Sequence, residues 1–165
     1  MLLTGTFLRS LDVKHRIAIP KPLRDMLSTD SEVVLYVAPG TDGSLSLYPE
    51  EAFARLAERL AQTSPNARQV RDYSRLFYAR ATRVSFDTQG RIRLPQELVE
   101  LAGLKREVML LGVQDHFELW DKGQWDAYLE EKMTHYDEIA EAAFDGGLTP
   151  VVETPLPTDG VRTPK

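Results

Sequence analysis

The chain has 165 residues, 42% of them hydrophobic, no cysteine, and a formal net charge of −5 at pH 7. That length suits one compact unit or two small half-domains sharing a core, and the lack of cysteine excludes disulfides, thiolate metal sites and a cysteine nucleophile and fits a reducing cytosol. No apolar run approaches the roughly 20 residues of a membrane-spanning helix, and "MLLTGTFLRS" has neither the basic lead-in nor the apolar length of a signal peptide.

The elements read in order as follows. "TFLRSL" (6–11) and "RIAI" (16–19) are expected strands joined by a tight turn at 12–15. Pro20 then starts a short helix, "PLRDML", because a missing N–H costs little at a helix start. "EVVLYV" (32–37) and "LSLY" (45–48) are apolar enough for core strands. A helix over 49–62 places Phe53, Leu56 and Leu60 on one face. A second helix over 66–81 carries Val70, Tyr73 and Phe77.

The pattern then recurs. "TRVSF" (82–86), a turn at 87–90 and "RIRL" (91–94) form another strand pair, and Pro95 starts "QELVELAG", with Gly103 as its C-terminal stop. "EVMLLGV" (107–113) and "FELW" (117–120) are core strands, followed by one long helix over 120–144 with Trp125, Tyr128, Leu129, Met133, Tyr136 and Ile139 in a stripe. From Asp145 the chain is rich in Pro and Gly and reads as a mobile tail.

The recurrence is residue by residue. "LDVKHRIAIP" (11–20) and "FDTQGRIRLP" (86–95) share Asp12/Asp87, Arg16/Arg91, Ile17/Ile92 and Pro20/Pro95 at a constant offset of 75. Glu32, Val33 and Leu35 fall on Glu107, Val108 and Leu110 at the same offset, and "LSLYPEEAF" then matches "FELWDKGQW" at 72. The three-residue difference is placed in the turn "APGTDGS", where insertions are tolerated. The expected organisation is a first unit with its helix (1–60), a connecting helix (61–79), a second unit with a long helix (80–143) and a flexible tail (144–165). The two units would be related by a pseudo-two-fold axis.

Charge follows the repeat. Residues 1–30 hold five Lys/Arg and three Asp/Glu, and residues 66–106 hold nine and four. Residues 107–165 hold four and thirteen. The basic excess thus lies in the two segments that carry the repeated phrase. Within that phrase, strand alternation puts Ile17 and Ile19 on one face and Arg16 on the other, and Ile92 and Leu94 opposite Arg91 and Arg93. Arg9, Lys14, Arg24 and Arg83 lie near these ridges in sequence. Such arginines can neutralise phosphates or bind guanine bidentately. Asp12 and Asp87 can instead serve their turns, each paired to its arginine.

Enzymatic readings fare worse. Two duplicated aspartates suggest an aspartic protease, but an arginine beside each would hold both ionised, whereas that chemistry shares a proton. His15, His116 and His135 form no spaced ligand set, and no H-E-x-x-H or Gly-rich phosphate loop occurs. His116 beside Asp115 reads as a turn residue, and Trp120 and Trp125 as core. No enzyme activity, cofactor, metal or small-molecule substrate is expected.

The doubled D-x-x-x-R with its apolar-x-apolar-Pro run, together with "EVMLLGVQDHFELWDKGQW", resembles the MraZ family of bacterial transcriptional regulators, within the AbrB-like swapped-hairpin group. The likeness covers about residues 1–143. It implies a mainly β fold with flanking helices (α+β), in which duplicated AbrB-like swapped-hairpin units form one pseudo-two-fold β-barrel. It also implies a cytoplasmic, nucleoid-associated homo-oligomer, a ring. That ring would bind short G-rich direct repeats of double-stranded DNA in the promoter of the division and cell-wall gene cluster. Arg16, Arg91, Lys14, Arg93, Asp12 and Asp87 would be its DNA-binding set. The first copy has "KHR" where the family has "KGR"; the second, "DTQGR", keeps the glycine. A rival reading is an AbrB-like antitoxin whose tail binds a partner protein.

Overall fold

The computed structural model describes residues 1–27 and 32–145; the expected tail beyond Asp145 lies outside them. It is mixed α and β. The chain divides into a unit spanning Met1–Tyr128 and a second that starts at Leu129.

The first unit opens with β1 (Thr6–Ser10), β2 (Arg16–Ala18), α1 (Lys21–Leu27), β3 (Val34–Pro39) and β4 (Leu45–Pro49). Two helices follow, α2 (Glu50–Ala61) and α3 (Arg68–Tyr78). Then come β5 (Thr82–Ser85), β6 (Arg91–Arg93), α4 (Gln96–Leu101), β7 (Glu107–Val113), β8 (His116–Asp121) and the start of α5 (Lys122–Met133). Pro20 and Pro95 sit just before α1 and α4, where their carbonyls accept the first helical bonds from Leu23 and Arg24, and from Leu98 and Val99.

Six strands form one antiparallel sheet in the order β1-β7-β8-β4-β3-β5, and β2 and β6 form a separate two-stranded ribbon. Each half lends its first strand to the other, since β1 pairs with β7 and β5 with β3. The ribbon register sets Ile17 opposite Ile92, with Arg16 opposite Arg93 and Ala18 opposite Arg91. Paired residues of a ribbon share a face, so Ile17 and Ile92 both enter the core, at 0% and 1% exposure. They meet Leu35, Val37, Leu45, Leu47, Val108, Leu110, Phe117 and Leu119 from the sheet. On β3 and β4, Tyr36 stacks on Phe53 of α2 at 4.3 Å, and Tyr48 meets Phe77 of α3 edge-on at 6.4 Å.

Two expectations need correction. The first is the alignment of the halves. Leu35 faces Val84, and Val108 faces Arg9. Val84 and Arg9 are 75 apart but Val108 and Leu35 only 73, so an alignment of the halves that keeps these pairings sets β3 on β7 at 73 rather than 75. In the centre of the sheet Ser46 faces Glu118, which is 72 further on. Two of the three extra residues therefore fall between α1 and β3, and one in the turn after Pro39. A slip of two keeps every side chain on its own face, so the apolar pattern could not reveal it. The second is the single long helix over 120–144. It is two helices, α5 and, in the second unit, α6 (Tyr136–Asp145). Thr134 lies at the break and its hydroxyl donates to the Glu131 carbonyl at 2.8 Å; side-chain bonding of this kind competes with the helical ladder. Beyond the break Tyr136, Ile139 and Phe144 are exposed.

Because Ile17 and Ile92 are each other's neighbour at the crossing of the two halves, Ile17→Ala and Ile92→Ala should each destabilise the protein by about 2–5 kcal/mol. The double variant should lose less than the sum, since one cavity replaces two. Urea unfolding of the three variants measures this, and strict additivity would contradict the shared packing.

Candidate nucleic-acid interface

The two turns are built alike, atom for atom. In the first, the Asp12 carboxylate accepts the backbone N–H of Lys14 at 2.9 Å and of Arg16 at 2.8 Å, and the Asp12 carbonyl accepts the N–H of His15. In the second, Asp87 accepts from Gln89 and Arg91, both at 2.9 Å, and its carbonyl from Gly90. A short acidic side chain that bonds backbone two residues on stabilises a tight turn. The fourth turn residue must be left-handed, and His15 at φ 60° adopts the same conformation as Gly90 at φ 73°. Histidine is thus accommodated at this position, and the first turn is as complete as the second.

Each turn is also tied to the other half. The His15 carbonyl accepts the N–H of Leu94 at 2.8 Å, and the Gly90 carbonyl that of Ile19 at 3.1 Å. Two further arginines lie against β2 and its end: Arg9 Nε donates to the Ala18 carbonyl at 2.9 Å, and Arg24 Nε to the Ile19 carbonyl at 3.0 Å.

Of the six expected site residues, Arg16, Arg91 and Arg93 come together on the outer face of the ribbon, opposite Ile17 and Ile92. Lys14 is exposed at the tip of the first turn. Asp12 and Asp87 are the turn-builders and also the ion-pair partners: Arg16 Nε lies 2.7 Å from Asp12 and Arg91 Nε 2.8 Å from Asp87. Each pair uses only Nε. The two Nη groups of each guanidinium make no hydrogen bond or ion pair among the described residues. The aspartate therefore steadies the arginine and leaves the outer fork of donors free.

The carboxylates register this environment. The Arg16 backbone N–H foremost, then the Arg16 guanidinium and the Lys14 N–H, hold Asp12 below its ordinary value of 3.8 against the opposing effect of burial. Arg91 and Gln89 do the same for Asp87. Elsewhere, His116 opens β8, stacked on Tyr48 at 4.9 Å with its Nδ1 2.8 Å from Asp115, so it belongs to the sheet as well as to the turn. Trp120 is buried and packs on Trp125 and Tyr128.

A two-stranded antiparallel ribbon with arginines on one face, anchored to a sheet by the other, has a shape and charge that a nucleic-acid groove can accept. Comparison with known proteins places the chain in a family. The family model described as "MraZ protein, putative antitoxin-like" matches residues 2–76 and again 77–146. A protein of Pediococcus pentosaceus named "Transcriptional regulator MraZ" is 40% identical over 144 residues, 87% of this chain and 98% of the relative. Proteins of the same name from Finegoldia magna and Halothermothrix orenii are each 34% identical, covering 84% and 87% of this chain and 94% and 98% of their own lengths. The chain belongs to the MraZ family, whose curated relatives are named transcriptional regulators. No helix among the described residues is long and apolar enough to cross a membrane.

Since both folded aspartates titrate below 3.8, their contribution to stability is complete above that pH and is lost as pH falls through their lower folded values. Asp12→Asn keeps the turn-building oxygen and removes the charge, whereas Asp12→Ala removes both. Melting temperatures should rank wild type, Asn, Ala at neutral pH, and the gap between wild type and Asn should close below pH 3.8. A gap that stayed constant to pH 2 would show that the charge plays no part.

Proposed function

We propose that this protein is a DNA-binding transcriptional regulator that reads duplex DNA with the arginine face of the β2–β6 ribbon. The observation that carries the reading is the free outer fork of Arg16 and Arg91, each steadied through Nε by its own turn aspartate. Two Nη donors held in this way match the O6 and N7 acceptors of guanine in the major groove, or a phosphate. Lys14 and Arg93 add backbone contacts, and Asp12 and Asp87 act by positioning the arginines. The operator is a set of short direct repeats in the promoter of the division and cell-wall gene cluster, and the protein works in the cytoplasm on the nucleoid.

The same proposal extends to architecture. The halves are two swapped-hairpin units, bounded at about 1–60 and 80–143 with a connecting helix at 61–79, that close into one pseudo-two-fold barrel. Two features support this: the sheet order reads the same when reversed with the halves exchanged, and Ile17/Ile92 and Ser46/Glu118 face each other. Copies assemble into a ring, for which the exposed Met133, Tyr136, Ile139 and Phe144 offer apolar surface. Several ribbons on successive repeats would then bind with avidity. The family description also says antitoxin-like; on that reading the principal partner is a protein.

Arg16→Ala and Arg91→Ala should each weaken operator binding, by about 1–3 kcal/mol per bidentate contact, and the double variant should lose specific binding while keeping most of its melting temperature. Wild-type affinity should fall steeply with salt despite the acidic total charge. Anisotropy titrations and thermal melts test both. A double variant that bound like wild type would refute the reading heads, and one that unfolded would show that the ion pairs serve the fold alone.

Light scattering coupled to gel filtration should return a closed oligomer at micromolar concentration. A stable monomer across that range would overturn the ring.

A further inference from the structure

The flanks of the two turns differ in charge, and neither the repeat nor the ribbon explains the difference. Beside the first turn lies a cleft of about 520 Å³ lined by Asp12, His15, Val99, Leu104, Lys105 and Arg106, among others. The corresponding cleft beside the second turn, about 250 Å³, is lined by Arg24, Asp25, Glu32, Val33 and Phe86. Among the described residues, one flank thus presents two cations beside Lys14. The other presents, among the described residues, one cation and two carboxylates, of which Asp25 is paired with Lys21 at 2.7 Å.

The cationic flank is firmly placed. α4 ends with Gly103 at φ 58°, whose N–H donates to the Glu100 carbonyl while that of Leu104 donates to Val99. This is a Schellman stop. The chain that leaves it is pinned on both sides: the Lys105 N–H donates to the Asp121 carboxylate at 3.2 Å, and the Arg106 carbonyl accepts the N–H of Leu11 at 2.8 Å, immediately before the turn. Both side chains are exposed. Neither they nor Lys14 form an ion pair among the described residues, and Asp12, the acid in this cleft, is occupied by Arg16.

We propose that Lys105 and Arg106 form a phosphate-gripping element that works with the first turn, so that the His15 end of the ribbon is the stronger-held end and each chain lies on its duplex in one polarity. This rests on the DNA-binding reading above and extends it. The ribbon arginines read bases; the 105–106 loop holds the sugar-phosphate strand beside them. The ligand chemistry is a row of phosphate diesters, which cations not already engaged in an ion pair can neutralise.

The test uses two probes, a duplex from upstream of the chain's own gene and a scrambled duplex of equal length, titrated by anisotropy across a salt series. Lys105→Ala/Arg106→Ala should weaken both duplexes by the same factor, at least about tenfold at physiological salt, and lower the slope of log affinity against log salt by about 2 for each chain engaged. The backbone bonds that pin the loop remain in this variant, and K105Q/R106Q, which keeps polar side chains there, should behave alike if the alanine variant melts early. Glu32→Lys, which adds a cation to the opposite flank, should tighten both. If Lys105→Ala/Arg106→Ala kept the wild-type slope while R16A/R91A lost binding, the loop proposal would fall and the ribbon reading would stand. A loss confined to the specific duplex would make the loop a base reader and also overturn it. If R16A/R91A too bound like wild type, the DNA reading itself would be at fault.

Discussion

The structure turns on a reciprocal pair of hydrogen bonds at the two ends of the ribbon, from Leu94 to the His15 carbonyl and from Ile19 to that of Gly90. Each accepts at the left-handed residue of one turn and donates from the strand end of the other half. Between them lies the Ile17–Ile92 pair. An aspartate turn of this kind can form locally, but the ribbon cannot, because each of its strands is only three residues long and its partner is about 75 residues away. The same exchange governs the sheet edges, where β1 is held by β7 and β5 by β3. The arginine face is therefore a product of the whole fold rather than of either hairpin.

That division between local and distant causes also decides what can be read from the chain alone. The turns at 12–15 and 87–90, the strands beside them, the proline starts of α1 and α4 and the Gly103 stop are all legible, because each rests on a residue type acting within four positions of itself. The outward placement of Arg16, Arg91 and Arg93 follows from alternation alone. What escapes is what alternation cannot encode: the shift from 75 to 73 before β3 preserves every face, and only the pairing of Val84 with Leu35 and Arg9 with Val108 exposes it. The break at Thr134 escapes because the apolar residues continue past it. Lys105 and Arg106 entered the reading only as part of a basic total over 66–106, since nothing local connects a loop after α4 to a turn before β2.

Electrostatics follow the same logic. A net charge of −5 describes the chain, not the surface a ligand meets. At physiological ionic strength exposed charges are screened beyond roughly 8 Å, so the carboxylates that matter to the ribbon are those within reach of it. Asp12 and Asp87 are nearest, and each is spent on holding an arginine. Their effect is to order the guanidinium, not to cancel its outward-facing donors. Among the described residues Glu32 and Asp25 line the cleft beside the second turn, whereas Lys105 and Arg106 line that beside the first, although the first turn's sequence departs further from the glycine-bearing form.

That departure has a packing explanation. A Cβ on Gly90 would come within 2.3 Å of the Arg24 guanidinium, which lies across the turn and bonds to the Ile19 carbonyl. A side chain at position 90 would therefore have to displace the Arg24 guanidinium, whereas the positive φ alone is one that His15 also adopts. The residue 75 beyond Arg24 is Val99, short and buried, and it lines the same cleft as His15. Val99 cannot reach across the first turn as Arg24 does across the second, so the residue at position 15 does not face the guanidinium that Gly90 meets, and its left-handed φ is one that histidine can adopt. The small residue stands under the large neighbour and the large residue beside the small one. The two turns therefore keep one backbone geometry and one arginine placement while presenting different chemistry at their flanks, an asymmetry that a strictly repeated sequence could not have produced.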